Sequence, residues 1–176
     1  MKYLYVCLFM AVSLGAYGQE ESTKSNNASS RKHEVRLDVL EAVVVPAIEV
    51  NYEYVISQYS GAGVALHLNF NDGEYLEFQN FALTPYYRQY FFNKQDFGAR
   101  GFFVEGNLRM ATGDEFLDGS GDDWTQFGAG FAVGQKWTSN NGFVFEISAG
   151  IGRYFGSNDI GPEVYPRGGF SVGYRF

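Results

Sequence analysis

From residue 47 to the end of the chain, apolar side chains recur at every second position. Ile48, Val50, Tyr52, Tyr54 and Ile56 share one face of the first run, and Glu49, Asn51 and Glu53 share the other. A period of two puts successive side chains on opposite faces of an extended strand. Six more runs repeat the rhythm. Ala62, Val64, Leu66, Leu68 and Phe70 stand against Gly63, Ala65, His67 and Asn69. Phe81, Leu83, Pro85, Tyr87 and Phe91 stand against Thr84, Tyr86, Arg88 and Tyr90, and Phe102, Val104, Leu108 and Met110 against Phe103, Glu105, Asn107 and Arg109. The runs from Phe127 to Trp137, Phe143 to Ile151 and Phe170 to Phe176 carry Gly134 and Lys136, Glu146 and Ser148, and Ser171 and Arg175 on their other faces. Residues 34–44 predict an eighth strand, with Val35, Leu37 and Val39 alternating against Arg36 and Asp38. Val35, Val39 and Val43 also fit a helical stripe, but Pro46 and a short turn lead directly into the next run and favour strand.

The connections alternate in character. Residues 58–60, 93–99 and 139–141 are short to medium and polar, whereas 71–79, 112–123 and 156–164 are longer and rich in Gly, Asp and Asn. Ahead of the strands, residues 1–18 read as a secretory signal peptide. Lys2 supplies the positive charge, Tyr3 to Leu14 the apolar stretch, and Ala16-Tyr17-Gly18 the small residues before a cleavage site. Residues 19–33 have almost nothing to bury and predict a flexible periplasmic lead-in. The folded part is expected over 34–176.

Composition narrows the class. One cysteine among 176 residues, inside the signal peptide, excludes a disulfide scaffold. A net charge of −7 without a basic patch argues against nucleic acid. Aromatics at 18% and 22 glycines favour all-β structure.

Eight two-faced strands suit either a soluble barrel or a membrane barrel, and the choice turns on which face points inward. The polar faces are not rich in solubilising Lys and Glu. They hold glycines and small residues with a few charges of both signs: Glu49, Glu53, Arg88, Glu105, Arg109, Lys136, Glu146 and Arg175. An eight-stranded lumen is just wide enough for side chains to fill. Buried charges of mixed sign suit it if they pair. With both chain ends in the periplasm, Tyr54, Tyr87, Phe91, Phe102, Trp137, Phe143, Tyr174 and Phe176 all fall at one end of the barrel, as an interfacial aromatic girdle does. The alternation Phe170, Val172, Tyr174, Phe176 resembles the terminal strand read by the machinery that assembles outer-membrane barrels. The expected architecture is therefore an eight-stranded antiparallel transmembrane (outer-membrane) β-barrel.

Four stretches carry a family resemblance: Leu83-Thr84-Pro85-Tyr86-Tyr87-Arg88, Gly101 to Gly106, Gly142 to Ile147, and Arg167 to Phe176. Here the chain resembles small outer-membrane β-barrels of Bacteroides-type bacteria that carry a domain of unknown function. The resemblance covers most of 34–176. It implies a barrel similar to the OmpA and OmpX types, and it implies no activity.

Candidate chemistry is sparse. His67 lies on the predicted lumen face and invites a general-base reading, because some outer-membrane barrels modify lipid A. No serine or acid stands out as its partner in the sequence, so it reads as a lumen hydrogen-bonding residue. His33 reads as solvated at the lead-in junction. Asp114, Glu115, Asp118, Asp122 and Asp123 crowd one loop, and Asp118-x-Ser120-x-Asp122 has calcium-loop alternation without the rest of that frame. Glycines 128, 130, 134, 150, 152 and 156 alternate with apolar residues in predicted strands with no following helix. They are expected to relieve crowding inside the barrel rather than to bind phosphate.

The expectation is a structural or interaction protein of the outer membrane, not an enzyme. Neither a cofactor nor a metal nor a catalytic residue is assigned. The expected partners are membrane lipid, lipopolysaccharide, the assembly machinery at Phe176 and a ligand for the surface loops. Two alternatives stand beside it. One is a hydrolase or acyltransferase acting on lipid A or phospholipid. The other is a soluble lipocalin-like binder with Ile48, Val64, Phe131 and Ile147 lining an apolar cavity.

Overall fold

A computed structural model describes residues 31–44, 47–69, 79–91, 98–114, 123–155 and 161–176. The predicted signal peptide, nearly all of the lead-in, the Val45-Pro46 link and most of the three long loops lie outside the described residues. The elements are β1 (His33–Asp38), α1 (Val39–Val44), β2 (Ala47–Ser57), β3 (Ser60–Asn69), β4 (Phe81–Phe91), β5 (Gly101–Asp114), β6 (Asp123–Thr138), β7 (Phe143–Phe155), β8 (Val164–Arg167) and β9 (Phe170–Arg175). Among the described residues no helix is long and apolar enough to cross a membrane, which says nothing of a barrel.

Every strand pairs antiparallel with its neighbours, and β1 closes the ring onto β9. β8 and β9 are two halves of one stave. Both pair with β7 in a single register, Arg153↔Val164 at one end and Phe143↔Tyr174 at the other. The result is a closed barrel of eight staves. Following the register around it leads from Glu34 through Glu53, Gly63, Tyr86, Asn107, Gly130 and Gly152 to Tyr165. The β9–β1 register, Glu34↔Arg175, then returns the path to position 44, ten residues past its start. A stagger of ten over eight strands implies a tilt of roughly 40° and a radius of about 8 Å. That interior has room for side chains only.

The faces sort as the alternation predicts, with the charged face inside. Glu49, Arg109 and Ser171 are buried, whereas Phe131, Ile147 and Leu108 are each more than half exposed. The apolar cavity that a lipocalin-like binder needs is therefore missing at Phe131 and Ile147, which point outward. Tyr54, Tyr87, Phe91, Phe102, Trp137, Phe143, Tyr174 and Phe176 form an exposed ring at the rim with the short turns. The first and last staves meet at this rim, where the His33 and Phe176 backbones exchange hydrogen bonds.

Two predicted segments are corrected. Residues 34–44 are not one strand: β1 stops at Asp38, and Val39–Val44 coil into α1. The Asp38 carboxylate accepts the Glu41 N–H at 3.0 Å, the hydrogen bond of an N-cap. Stave eight, expected from Phe170, begins instead at Val164. It is kinked at Gly168, whose φ of 114° only glycine adopts without strain.

These two corrections meet in space. β1 pairs with β9 only as far as Asp38↔Ser171, and above that point β8 pairs with β7 alone. The wall is interrupted there, and α1 packs against β2 and β9 in place of a strand. Tyr154 N–H bonds the Glu163 carbonyl and Ser148 N–H the Gly169 carbonyl, so odd-numbered residues of the stave face β7. Pro166 thus turns its nitrogen to the open edge, where the missing N–H costs nothing.

Candidate functional site

The lumen holds six buried acids (Glu34, Asp38, Glu49, Glu53, Glu105, Glu146) and six buried bases (Arg36, Arg88, Arg109, Lys136, Arg167, Arg175) among the described residues. Removing an ion from water costs several kcal/mol even after relaxation, so such charges persist only when paired and hydrogen-bonded. The pairing is dense. Arg88 donates from Nε to Glu105 at 2.8 Å and from Nη1 to Glu53 at 3.1 Å and Glu146 at 2.7 Å. Its guanidinium lies 4.6 Å from the Tyr86 ring centre and 4.3 Å from that of Phe103. Lys136 Nζ donates to Glu34 at 2.9 Å and Glu53 at 2.8 Å. Arg36 binds Glu34 and Glu53, and Arg175 reaches Glu34 at 2.8 Å. Arg167 links Glu49 at 2.5 Å to Glu105 at 2.9 Å.

Apolar plugs bracket this network. Val55, Tyr90, Ala99 and Phe103 close the short-turn end. Arg175 donates there to the Gly98 and Ala99 carbonyls at 2.6 and 2.9 Å, pinning that segment across the mouth. Ala82, Ala111, Trp124, Tyr154 and Tyr165 fill the long-loop end. The glycines make the room expected of them. A Cβ on Gly134 would meet the Phe103 ring at 2.5 Å, and one on Gly152 would collide with the Tyr165 ring.

His67 is buried at 2% exposure, and the structure supplies the partner that the sequence did not reveal. Its Nδ1 lies 3.0 Å from Glu41 Oε1 on α1. Glu49, two strand residues from Asn51 and bonded to it at 3.0 Å, completes a cluster of His67, Glu41 and Glu49 with donor atoms within 4.8 Å of one another. The cluster lies where the wall is interrupted. His33 is exposed, as expected, but its Nδ1 shares a 2.8 Å hydrogen bond with the Tyr52 hydroxyl. The calcium-loop candidate at 112–123 lies for the most part outside the described residues.

Several lumen residues went unnoticed in the sequence. Arg167 and Tyr165 sit ahead of the last run, which the alternation begins only at Phe170. Glu41 sits on a segment read as strand, although Asp38-x-x-Glu41 is a helix-capping signature.

A scan of protein-family models, a search of curated proteins and a search of solved structures each found nothing that matches this chain.

Proposed function

We propose that the chain is a small outer-membrane β-barrel with a closed lumen, serving a structural or interaction role through its long-loop end. The observation that carries this is the inverted distribution of polarity. Twelve charged side chains are enclosed, while 27 large hydrophobic ones are exposed among the described residues, nearly all of them on the strands. Burying one such side chain is worth about 1.5–3 kcal/mol. Leaving all of them half in water forfeits tens of kcal/mol, against a net stability of about 5–15 kcal/mol for a domain. Hydrocarbon removes that cost, and closure removes the unpaired edges that lipid cannot satisfy, apart from the outer edge of β8 beside α1. The exposed aromatic rim supports the same reading, since amphipathic rings favour a membrane interface. The similarity to Bacteroides-type barrels, the cleaved signal peptide and recognition of the last stave by assembly machinery belong to this proposal.

Cell fractionation tests it, followed by electrophoresis of boiled and unboiled membranes. The protein is expected in the outer-membrane fraction, with faster mobility when unboiled. Recovery in the soluble periplasm would overturn it.

A second reading, an enzyme acting on lipid A or phospholipid, is favoured by one observation. His67 pairs with a carboxylate beside an interruption in the wall through which an acyl chain could approach. The salt-bridged lumen below that point leaves such chemistry only the long-loop half of the barrel.

A further inference from the structure

We propose that Glu41, Glu49 and His67 form a binding site for a divalent transition-metal ion of the Zn²⁺ type, built where α1 replaces the upper part of the first stave. The donor set is mixed: one imidazole and two carboxylates. Imidazole selects Zn²⁺ and its neighbours over Ca²⁺ and Mg²⁺, which take oxygen ligands. The spacing fits. Zn–N and Zn–O bonds of about 2.0–2.2 Å place neighbouring donors roughly 3–3.6 Å apart around a tetrahedral ion. His67 Nδ1 and Glu41 Oε1 are 3.0 Å apart, and all three donors fall within 4.8 Å.

Each ligand is held by its own element. His67 projects inward from β3 and is buried. Glu49 is oriented through Oε1, which accepts from Arg167 Nη1 at 2.5 Å and from Asn51 Nδ2 at 3.0 Å. Outer hydrogen bonds of this kind fix ligand oxygens in place. Glu41 is delivered by α1, whose first turn is tied down by the Asp38 cap. Its second oxygen, Oε2, is buried and accepts no hydrogen bond.

Charge points the same way. Among the described residues the six acids and six bases of the lumen balance, and Glu41 adds one more acid near Glu49 and Asp38. A divalent cation held between Glu41 and Glu49 answers that excess locally. One water or a ligand from the long-loop end would complete its tetrahedral shell. The same three residues give the short helix a reason to interrupt the strand: a continued β1 would alternate its side chains in and out and could not fold Glu41 back over His67.

The test is calorimetric titration of tag-free barrel refolded in detergent micelles and stripped with chelator. Zn²⁺ is expected to bind at one equivalent, more tightly than Ca²⁺ or Mg²⁺. E41Q and H67Q should each weaken it by at least about tenfold. E41Q removes a ligand and its contact with His67 without touching the arginine and lysine pairs of the lumen, so it should keep the heat-modifiable mobility of the parent. It should also lose the visible absorption that Co²⁺ gives in the parent site. Absence of saturable Zn²⁺ uptake by the parent, uptake undiminished in E41Q, or Ca²⁺ binding as tight as Zn²⁺ would overturn the proposal.

Discussion

Arg88 shows how the interior tolerates so much charge. One guanidinium serves three carboxylates and stacks against two aromatic rings, which no lysine could do from a single ammonium. Deleting it takes one cation each from Glu53 and Glu105, which keep Lys136 and Arg167, and leaves Glu146 only Arg36 at 3.5 Å. Arg88→Met is therefore expected to lower stability by about 3–5 kcal/mol, the usual cost of breaking one half of a buried ion pair. Urea unfolding of the detergent-folded protein measures it, and a loss below about 1 kcal/mol would mean that water reaches the network. At this scale the sequence was readable wherever a charge fell inside a regular alternation, as Glu53, Arg88, Glu105 and Lys136 do. It was silent on which charges meet. Lys136 lies 102 positions from Glu34, and no local pattern encodes that encounter. His67 and Glu41 pair across elements for the same reason.

Among the elements, β2 to β7 could be drawn from periodicity alone, because each is long and two-faced. The staves flanking the seam could not. Val35, Val39 and Val43 satisfy both a strand and a helix, and the capping signature at Asp38 and Glu41 decides between them only if it is weighed above the valine pattern. The alternation predicts the last run from Phe170, yet the stave starts at Val164 and continues through Gly168-Gly169 in unbroken register. The kink depends on the backbone at Gly168, where φ is 114° and a Cβ would sit 2.5 Å from the Ser148 carbonyl oxygen. Gly168→Val is expected to cost about 1–3 kcal/mol from the backbone alone. It should also release Arg167 from Glu49 and Glu105. A lowered thermal midpoint of the unboiled gel band would report it, and an unchanged midpoint would show that the stave straightens freely.

For the molecule as a whole, the two apolar plugs matter more than the charges between them. A polar lumen alone resembles a channel, but Phe103, Tyr90 and Ala99 at one mouth and Trp124, Tyr154 and Tyr165 at the other leave ions no continuous path. Reconstitution into planar bilayers should yield no steady single-channel current, and stepwise ohmic openings would contradict the sealed interior. The shortness of β1 carries one more consequence. Its ladders to β2 and β9 span five paired positions each, against fourteen between β5 and β6. The cylinder therefore has a built-in zip line. As the barrel forms, the ribbon from β2 to β9 can curl into shape first, and the narrow first stave can snap in last, carrying α1 behind it like a latch.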